Sequence, residues 1–288
     1  MKTVWVLLVL VALSSIVMFP PPANAACPDQ AAITAYIADF EAARVSKGFG
    51  TDLTLADAEC AMNKLIKELP RVLGRLVGYK AAFTNPALQQ ALGLTGPAWG
   101  AMFVKMMVNS GARLPAKFGA FPLYEADLIA VVKDAGLADA KTQLEALQHI
   151  SDMMPFIELP DRMVGGQITG ASAIAINILF RGGALGSRMK VESIDLPFAS
   201  LANMTVVMTE DKSGRELGRA KGTVLMDHPI NAAMWLAQAL KKEGIALRPG
   251  DLLSLGTYLP AAPVQAGTSI TVKYVGLPGA PSVTVHFE

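Results

Sequence analysis

Apolar positions in the first part of the chain recur at threes and fours. Ile33, Tyr36, Ile37 and Phe40 follow Asp29, whose side chain can cap a helix, and the stripe predicts a helix that stops before Gly48-Phe49-Gly50. Thr54 opens Thr-x-x-Asp, a near capping box closed by Asp57, and Leu55, Ala58, Met62, Leu65 and Ile66 carry a second helical stripe to Pro70. From Val72 the period shortens. Strands are predicted over 72–83, 123–133, 154–159, 201–210, 217–224, 251–258, 269–275 and 282–287, with Asp211-Lys212-Ser213-Gly214 as a hairpin turn between two of them. Helices interrupt at 139–150 and 229–242; in the second, Asp227 or His228 caps, Pro229 sits in the first turn and Gly244 ends it. The pattern is that of an α+β protein, with a small helical unit over 26–70 and a strand-rich domain over 71–288.

One predicted strand breaks the rule for apolar runs. Pro122 to Val132 reads PLYEADLIAVV, and its two acids, Glu125 and Asp127, stand two apart, hence on one face of a strand otherwise too apolar to lie at the surface. A third acid, Glu158, ends the apolar stretch Met154-Pro155-Phe156-Ile157-Glu158. Buried carboxylates are costly unless they are paired or bind a metal. Oxygen donors of this kind select a hard ion, Mg²⁺ or Mn²⁺, over zinc. The spacing alone leaves open a second reading, unrelated acids at strand ends.

Residues 1–25 have Lys2, an apolar run from Val4 to Phe19 and the small-x-small end Ala23-Asn24-Ala25, the layout of a secretory leader cleaved after Ala25. Export would place the protein in the periplasm, with no stable membrane insertion once the leader is removed. Cys27 and Cys60 both lie in the mature chain, where an oxidising compartment would pair them. Among 288 residues 17% are charged and the net charge is +1, so no nucleic-acid partner is expected.

Several blocks in the second stretch resemble a known family. Val77-Gly78-Tyr79-Lys80-Ala81-Ala82-Phe83-Thr84-Asn85-Pro86, Gln89-Gln90-Ala91-Leu92-Gly93, Glu125-Ala126-Asp127, the run from His228 to Ala237 and Pro249-Gly250-Asp251 are similar to the 2-keto-4-pentenoate hydratases and 4-oxalocrotonate decarboxylases of the fumarylacetoacetate hydrolase superfamily. The resemblance runs from about Leu53 to the C-terminus and implies a mixed β-roll or barrel domain and a homo-oligomer. It assigns Glu125, Asp127 and Glu158 to a Mg²⁺ or Mn²⁺ ion, with Asp127 standing where the family usually has Glu. By the same resemblance Lys80 faces the substrate's carboxylate or enolate oxygen, and Ser172, in Thr169-Gly170-Ala171-Ser172, lies near the substrate.

The implied substrate is a small 2-oxo or 2-hydroxydienoic acid. The implied reaction is hydration of a 2-hydroxy-2,4-dienoate by a metal-dependent hydro-lyase. Decarboxylation of a 4-oxalocrotonate-type acid, acylpyruvate hydrolysis and non-catalytic binding of 2-oxo acids by an exported protein are the alternatives. Ala98 departs from the pattern, because most relatives carry there an Asp that assists proton transfer. His228 reads as a helix cap, His149 and His286 carry no assignment, and Trp99, Trp235, Met106 and Met107 read as core or subunit contacts.

Overall fold

The computed structural model describes residues 27–50 and 52–288, so the predicted leader lies outside the described residues. The helices are α1 (Gln30–Glu41), α2 (Leu55–Glu68), α3 (Pro70–Leu73), α4 (Pro86–Ala91), α5 (Gln143–Gln148), α6 (Gly170–Ala175), α7 (Pro197–Asn203) and α8 (Pro229–Lys242). The strands begin with β1 (Leu76–Ala82), β2 (Ala98–Phe103), β3 (Met107–Asn109), β4 (Ala112–Leu114) and β5 (Leu123–Val132). They continue with β6 (Ile150–Pro160), β7 (Phe180–Leu185), β8 (Met189–Lys190), β9 (Thr205–Glu210) and β10 (Arg215–Lys221). The last are β11 (Leu252–Ser254), β12 (Ala262–Pro263), β13 (Ser269–Val275) and β14 (Ser282–Phe287). The protein is α+β and rich in strands.

The helix starts follow their caps. Asp29 accepts from the Ala32 N–H at 2.8 Å, and Thr54 and Asp57 complete a reciprocal capping box at the head of α2. His228 caps α8 with Pro229 in its first turn, as the sequence predicts. Elsewhere the predicted boundaries shift for local reasons. The strand expected from 72 starts at Leu76, because Pro70 opens a short helix that Gly74 ends at φ +75°. The strand expected from 201 starts at Thr205, since Pro197 nucleates α7. The helix expected over 139–150 is shorter, capped by Thr142, and Ile150 already belongs to β6.

Two sheets carry the fold. The larger runs β2-β1-β11-β5-β6-β7-β3, with β12 on β5 and β8 on β6; the smaller runs β10-β9-β13-β14-β4. β5 is buried on both faces, which explains its unbroken apolar run. Leu128, Ala130 and Val132 join the core shared with the second sheet and α8, while Ile129 and Val131 face α1 and α2 together with Ile33, Tyr36, Phe40 and Phe156. Glu125 and Asp127 continue the second row. The first two helices thus share a core with the face that carries the acids.

Cys27 and Cys60 form a disulfide, with Cα atoms 5.6 Å apart, that ties the segment before α1 to α2. Closing a loop of about 30 residues removes unfolded-state entropy worth roughly 3 to 4 kcal/mol. A Cys27→Ser/Cys60→Ser double variant is expected to unfold at lower denaturant concentration by that amount. An unchanged midpoint would mean that the bond constrains little.

Candidate active site

The site begins with a glycine. A Cβ on Gly78 would stand 1.9 Å from the Leu252 carbonyl oxygen, so only glycine lets β1 run this close beside β11. That parallel pairing sets Lys80 opposite Ser254, and Ser254 opposite Ile129 of β5. Lys80 therefore emerges on the same sheet face as Glu125 and Asp127. On the other side of β5, Glu158 of β6 is the direct cross-strand partner of Glu125.

Lys80 is 3% exposed and forms an ion pair with Glu158. Its ammonium also lies 3.4 Å from the Ile178 carbonyl oxygen and 5.5 Å from the centre of the Phe180 ring. Lys80 thus gives one of the three acids a basic partner. Asp127 is fully buried and turned towards backbone. Its Oδ1 accepts from the N–H groups of Leu128, Leu255 (3.2 Å) and Gly256 (3.0 Å), while the Ser254 hydroxyl donates to Oδ2. These bonds also explain why β11 stops at Ser254 instead of running to 258.

Lys80, Glu125 and Glu158 line one end of a cavity of about 660 Å³. Neither Asp127 nor Ser172 lines it. Ser172 is the third residue of α6, where its hydroxyl accepts from the Thr169 N–H at 2.9 Å and donates to the Thr169 carbonyl at 3.0 Å. The serine expected near the substrate thus sits in the capping box at the head of α6, with Thr169 as its N-cap. Ala98 shares the sheet face of Lys80 through the Ala82–Ala98 pairing, yet it lines a separate groove with Leu55, Met62, Trp99 and Ile174. Ala98 itself does not line the Lys80 cavity, although its pairing partner Ala82 does.

Other wall residues were not apparent in the sequence. Asn177, Ile178 and Leu179 are three successive left-handed residues, and Asn177 is clamped by its amide to both backbone groups of Ala101, at 2.7 and 2.9 Å. That costly turn aims the Ile178 carbonyl at Lys80. Thr257 follows the Asp127-bound turn into the cavity wall, and Arg162 stands at its rim, 5.3 Å from the Phe121 ring centre. No periodicity predicts a left-handed turn. The histidines remain outside. His228 Nδ1 accepts from the Ile230 N–H and its Nε2 donates to the Phe198 carbonyl, while burial lowers its pKa; His149 pairs with Asp134 and His286 with Ser269.

With every group ionised, three carboxylates face one ammonium. Burial, reinforced by Glu158, pushes Glu125 up to about 8, and the same causes push Asp127 up to about 7. Among the described residues no three acid, histidine or cysteine side chains converge as a ready-made metal cage, Glu158 being held by Lys80 and Asp127 by backbone. The donor chemistry still fits a divalent cation. Three carboxylates and one ammonium leave two negative charges, all the donors are hard oxygens, and raised carboxyl pKa values mark the uncompensated charge that an ion would neutralise.

A carboxyl whose pKa is raised by folding keeps its proton longer in the native chain than in the unfolded one. Its contribution to stability is complete below the ordinary value, 4.5 for Glu125 and 3.8 for Asp127, and is lost as pH rises through about 8 and about 7. Metal-free protein is therefore expected to melt at falling temperature from about pH 5 to about pH 8. Mg²⁺ should flatten that decline and release protons as it binds. Glu125→Gln should reduce the slope and weaken Mg²⁺ binding roughly tenfold or more. Thermal scans in chelator and calorimetric titration check both, and native affinity in the variant would remove Glu125 from the ligand set.

No family model matches the chain. Two curated relatives are both named 2-keto-4-pentenoate hydratase. The one from Paraburkholderia phymatum is 31% identical over 205 residues, covering 70% of this chain and 76% of the relative. The one from Burkholderia vietnamiensis is 30% identical over 231 residues, covering 79% and 84%. Among solved structures, 4-oxalocrotonate decarboxylase from Pseudomonas putida G7, complexed with magnesium and adipate, superposes with a TM-score of 0.78 at 22% identity, over 90% of this chain and 96% of that one. That likeness shows a shared fold. With relatives at this identity and coverage, and with Lys80, Glu125 and Glu158 gathered on one sheet face, the chain belongs to the 2-keto-4-pentenoate hydratase family.

Proposed function

We propose that the protein is a metal-dependent hydro-lyase that adds water to a 2-hydroxy-2,4-dienoate. The observation that carries this is the buried Lys80–Glu158 pair, with Glu125 directly across from Glu158, in the wall of a largely apolar cavity. Glu125 and Glu158 would hold a Mg²⁺ or Mn²⁺ ion, with Asp127 contributing through Oδ2, which accepts a single hydrogen bond within the protein. Solved neighbours complexed with magnesium, or with manganese and pyruvate, support the choice of ion. Held by these residues, such an ion would supply Lewis-acid polarisation of an oxo acid's oxygens.

The chain's own groups do the rest. Lys80 offers positive charge to the 2-oxygen from within a low-dielectric wall, where such a contact is stronger than in water. Its contact with Glu158 lets a proton be held at Nζ or returned through the carboxylate, and the Ile178 carbonyl fixes the ammonium's direction. The apolar wall limits competing solvent. Hydration is favoured over decarboxylation because the relatives at 30% identity or more are named hydratases, whereas a relative named 4-oxalocrotonate decarboxylase is 26% identical. The reading includes a homo-oligomer, as the family resemblance implies.

The reading also includes export to the periplasm. The leader pattern of residues 1–25 supports it, and so does the Cys27–Cys60 bond, which an oxidising compartment maintains. Among the described residues no helix is long and apolar enough to cross a membrane. Expressed in a bacterial host, the protein should be recovered from the periplasmic fraction with Ala26 as its first residue. Intact Met1 in a cytoplasmic fraction would refute export.

With Mg²⁺ and 2-hydroxypenta-2,4-dienoate, the protein should bleach the conjugated acid's ultraviolet absorbance. Lys80→Met should lower kcat/KM by roughly 10²- to 10⁴-fold. Release of carbon dioxide from a 4-oxalocrotonate-type acid without hydration would identify a decarboxylase instead. Recovery of unchanged ligand would identify a binder.

A further inference from the structure

Lys80, Glu125 and Glu158 occupy one end of a cavity much larger than the smallest acid they would hold. A five-carbon dienoate has eight non-hydrogen atoms and fills roughly 150–200 Å³, on the scale of about 30 Å³ for a water molecule in the liquid. The cavity holds about 660 Å³. Leu92, Leu123, Ile168, Leu179, Leu259 and Pro260 give its lining a largely apolar character, interrupted by the uncharged polar side chains of Thr84, Asn85, Thr257 and Tyr258. The same chemistry continues to the opening. Leu88 is 43% exposed and Val224 is 51% exposed where they line it, so apolar side chains reach the rim beside Arg162.

Charge along this path is sparse. Among the described residues lining the cavity, Lys80 and Arg162 are the only cations, and Arg162 is exposed and stacked on Phe121 at the rim. A second carboxylate on the substrate would find no other cation in this lining, only the uncharged polar groups of Thr84, Asn85, Thr257 and Tyr258. An aliphatic or aromatic tail would gain from every carbon buried along the way.

We propose that the cavity takes a 2-oxo or 2-hydroxydienoic acid bearing an extended apolar tail, with roughly four or more carbons, or a phenyl ring, beyond the reacting chain. The acid head lies at Lys80 and the tail runs past Leu92, Ile168 and Leu259 to the Leu88 and Val224 rim. Placing the head there rests on the hydro-lyase reading. The enzyme that supplies such a substrate must open a ring or chain that already carries the alkyl or aryl substituent.

Unreactive 2-oxo acids separate tail recognition from catalysis. Calorimetric titration of the Mg²⁺-loaded protein should show 2-oxooctanoate binding at least about tenfold tighter than 2-oxobutyrate, since each buried methylene adds up to about fourfold. 2-Oxoadipate should bind no tighter than 2-oxobutyrate. Leu88→Asp, on an exposed helical position, should shrink the advantage of the long acid. Equal affinity for the short and long acids would overturn the proposal, and tightest binding of 2-oxoadipate would do so in favour of Arg162 and a dicarboxylic substrate. Turnover measured beside binding separates the two readings. Tail-dependent binding without hydration of any dienoate supports the tail site and removes the hydro-lyase. Hydration of pentadienoate with no preference for tails keeps the hydro-lyase and removes the tail site, and failure of every acid to bind removes both.

Discussion

Asp127 ties together the layers on which the site is built. Its carboxylate accepts N–H bonds from Leu128, Leu255 and Gly256 and a hydroxyl from Ser254, and its own carbonyl accepts the Tyr274 hydroxyl from β13 of the second sheet. One residue thus joins β5 to the end of β11 and the larger sheet to the smaller. Removing an acceptor of this kind would leave several buried donors without partners, which is more costly than losing an ordinary contact. The shorter side chain matters here, because aspartate reaches the adjacent backbone where glutamate would reach past it.

From that knot the geometry of the cavity follows. Because Leu255 and Gly256 donate to Asp127, the chain leaves the ladder after Ser254 and carries Thr257, Tyr258 and Leu259 into the wall. Opposite them, the left-handed run from Asn177 to Leu179 closes the other side and holds the Ile178 carbonyl towards Lys80. The acids survive in this setting by different means. Glu158 has an ion-pair partner, Asp127 has fixed dipoles, and Glu125, half-buried on the cavity wall with only the Thr257 hydroxyl and the field of Lys80 to offset its charge, has the most to gain from a bound cation.

Much of this was legible in the sequence because it depends on period. A two-residue spacing put Glu125 and Asp127 on one strand face, and three- and four-residue spacing with a cap located α1, α2 and α8. Boundaries failed where a proline restarted a helix, at Pro70 and Pro197. β7 escaped notice because Phe180-Arg181-Gly182-Gly183 lacks the composition of a strand, although the Phe156 ring lies where a side chain on Gly183 would stand. Within the site, Lys80 and Glu158 were named separately, but their pairing needed the β1–β11–β5–β6 order, which no local pattern encodes. Ser172 shows the converse: its Thr-x-x-Ser box is a local helix-start signal, and the structure places its hydroxyl in that box and outside the cavity lining.

The close approach at Gly78 bears on how mutational surveys of this chain should be interpreted. Position 78 sits two residues from Lys80, inside the block that resembles the family most strongly, so an inactive variant there would ordinarily be scored as a chemical defect. Yet Gly78 does not line the cavity, and what a larger residue would push aside is the backbone of β11. Intolerance at this position would report strand separation rather than lost chemistry, and a screen that counts only product would merge two kinds of failure.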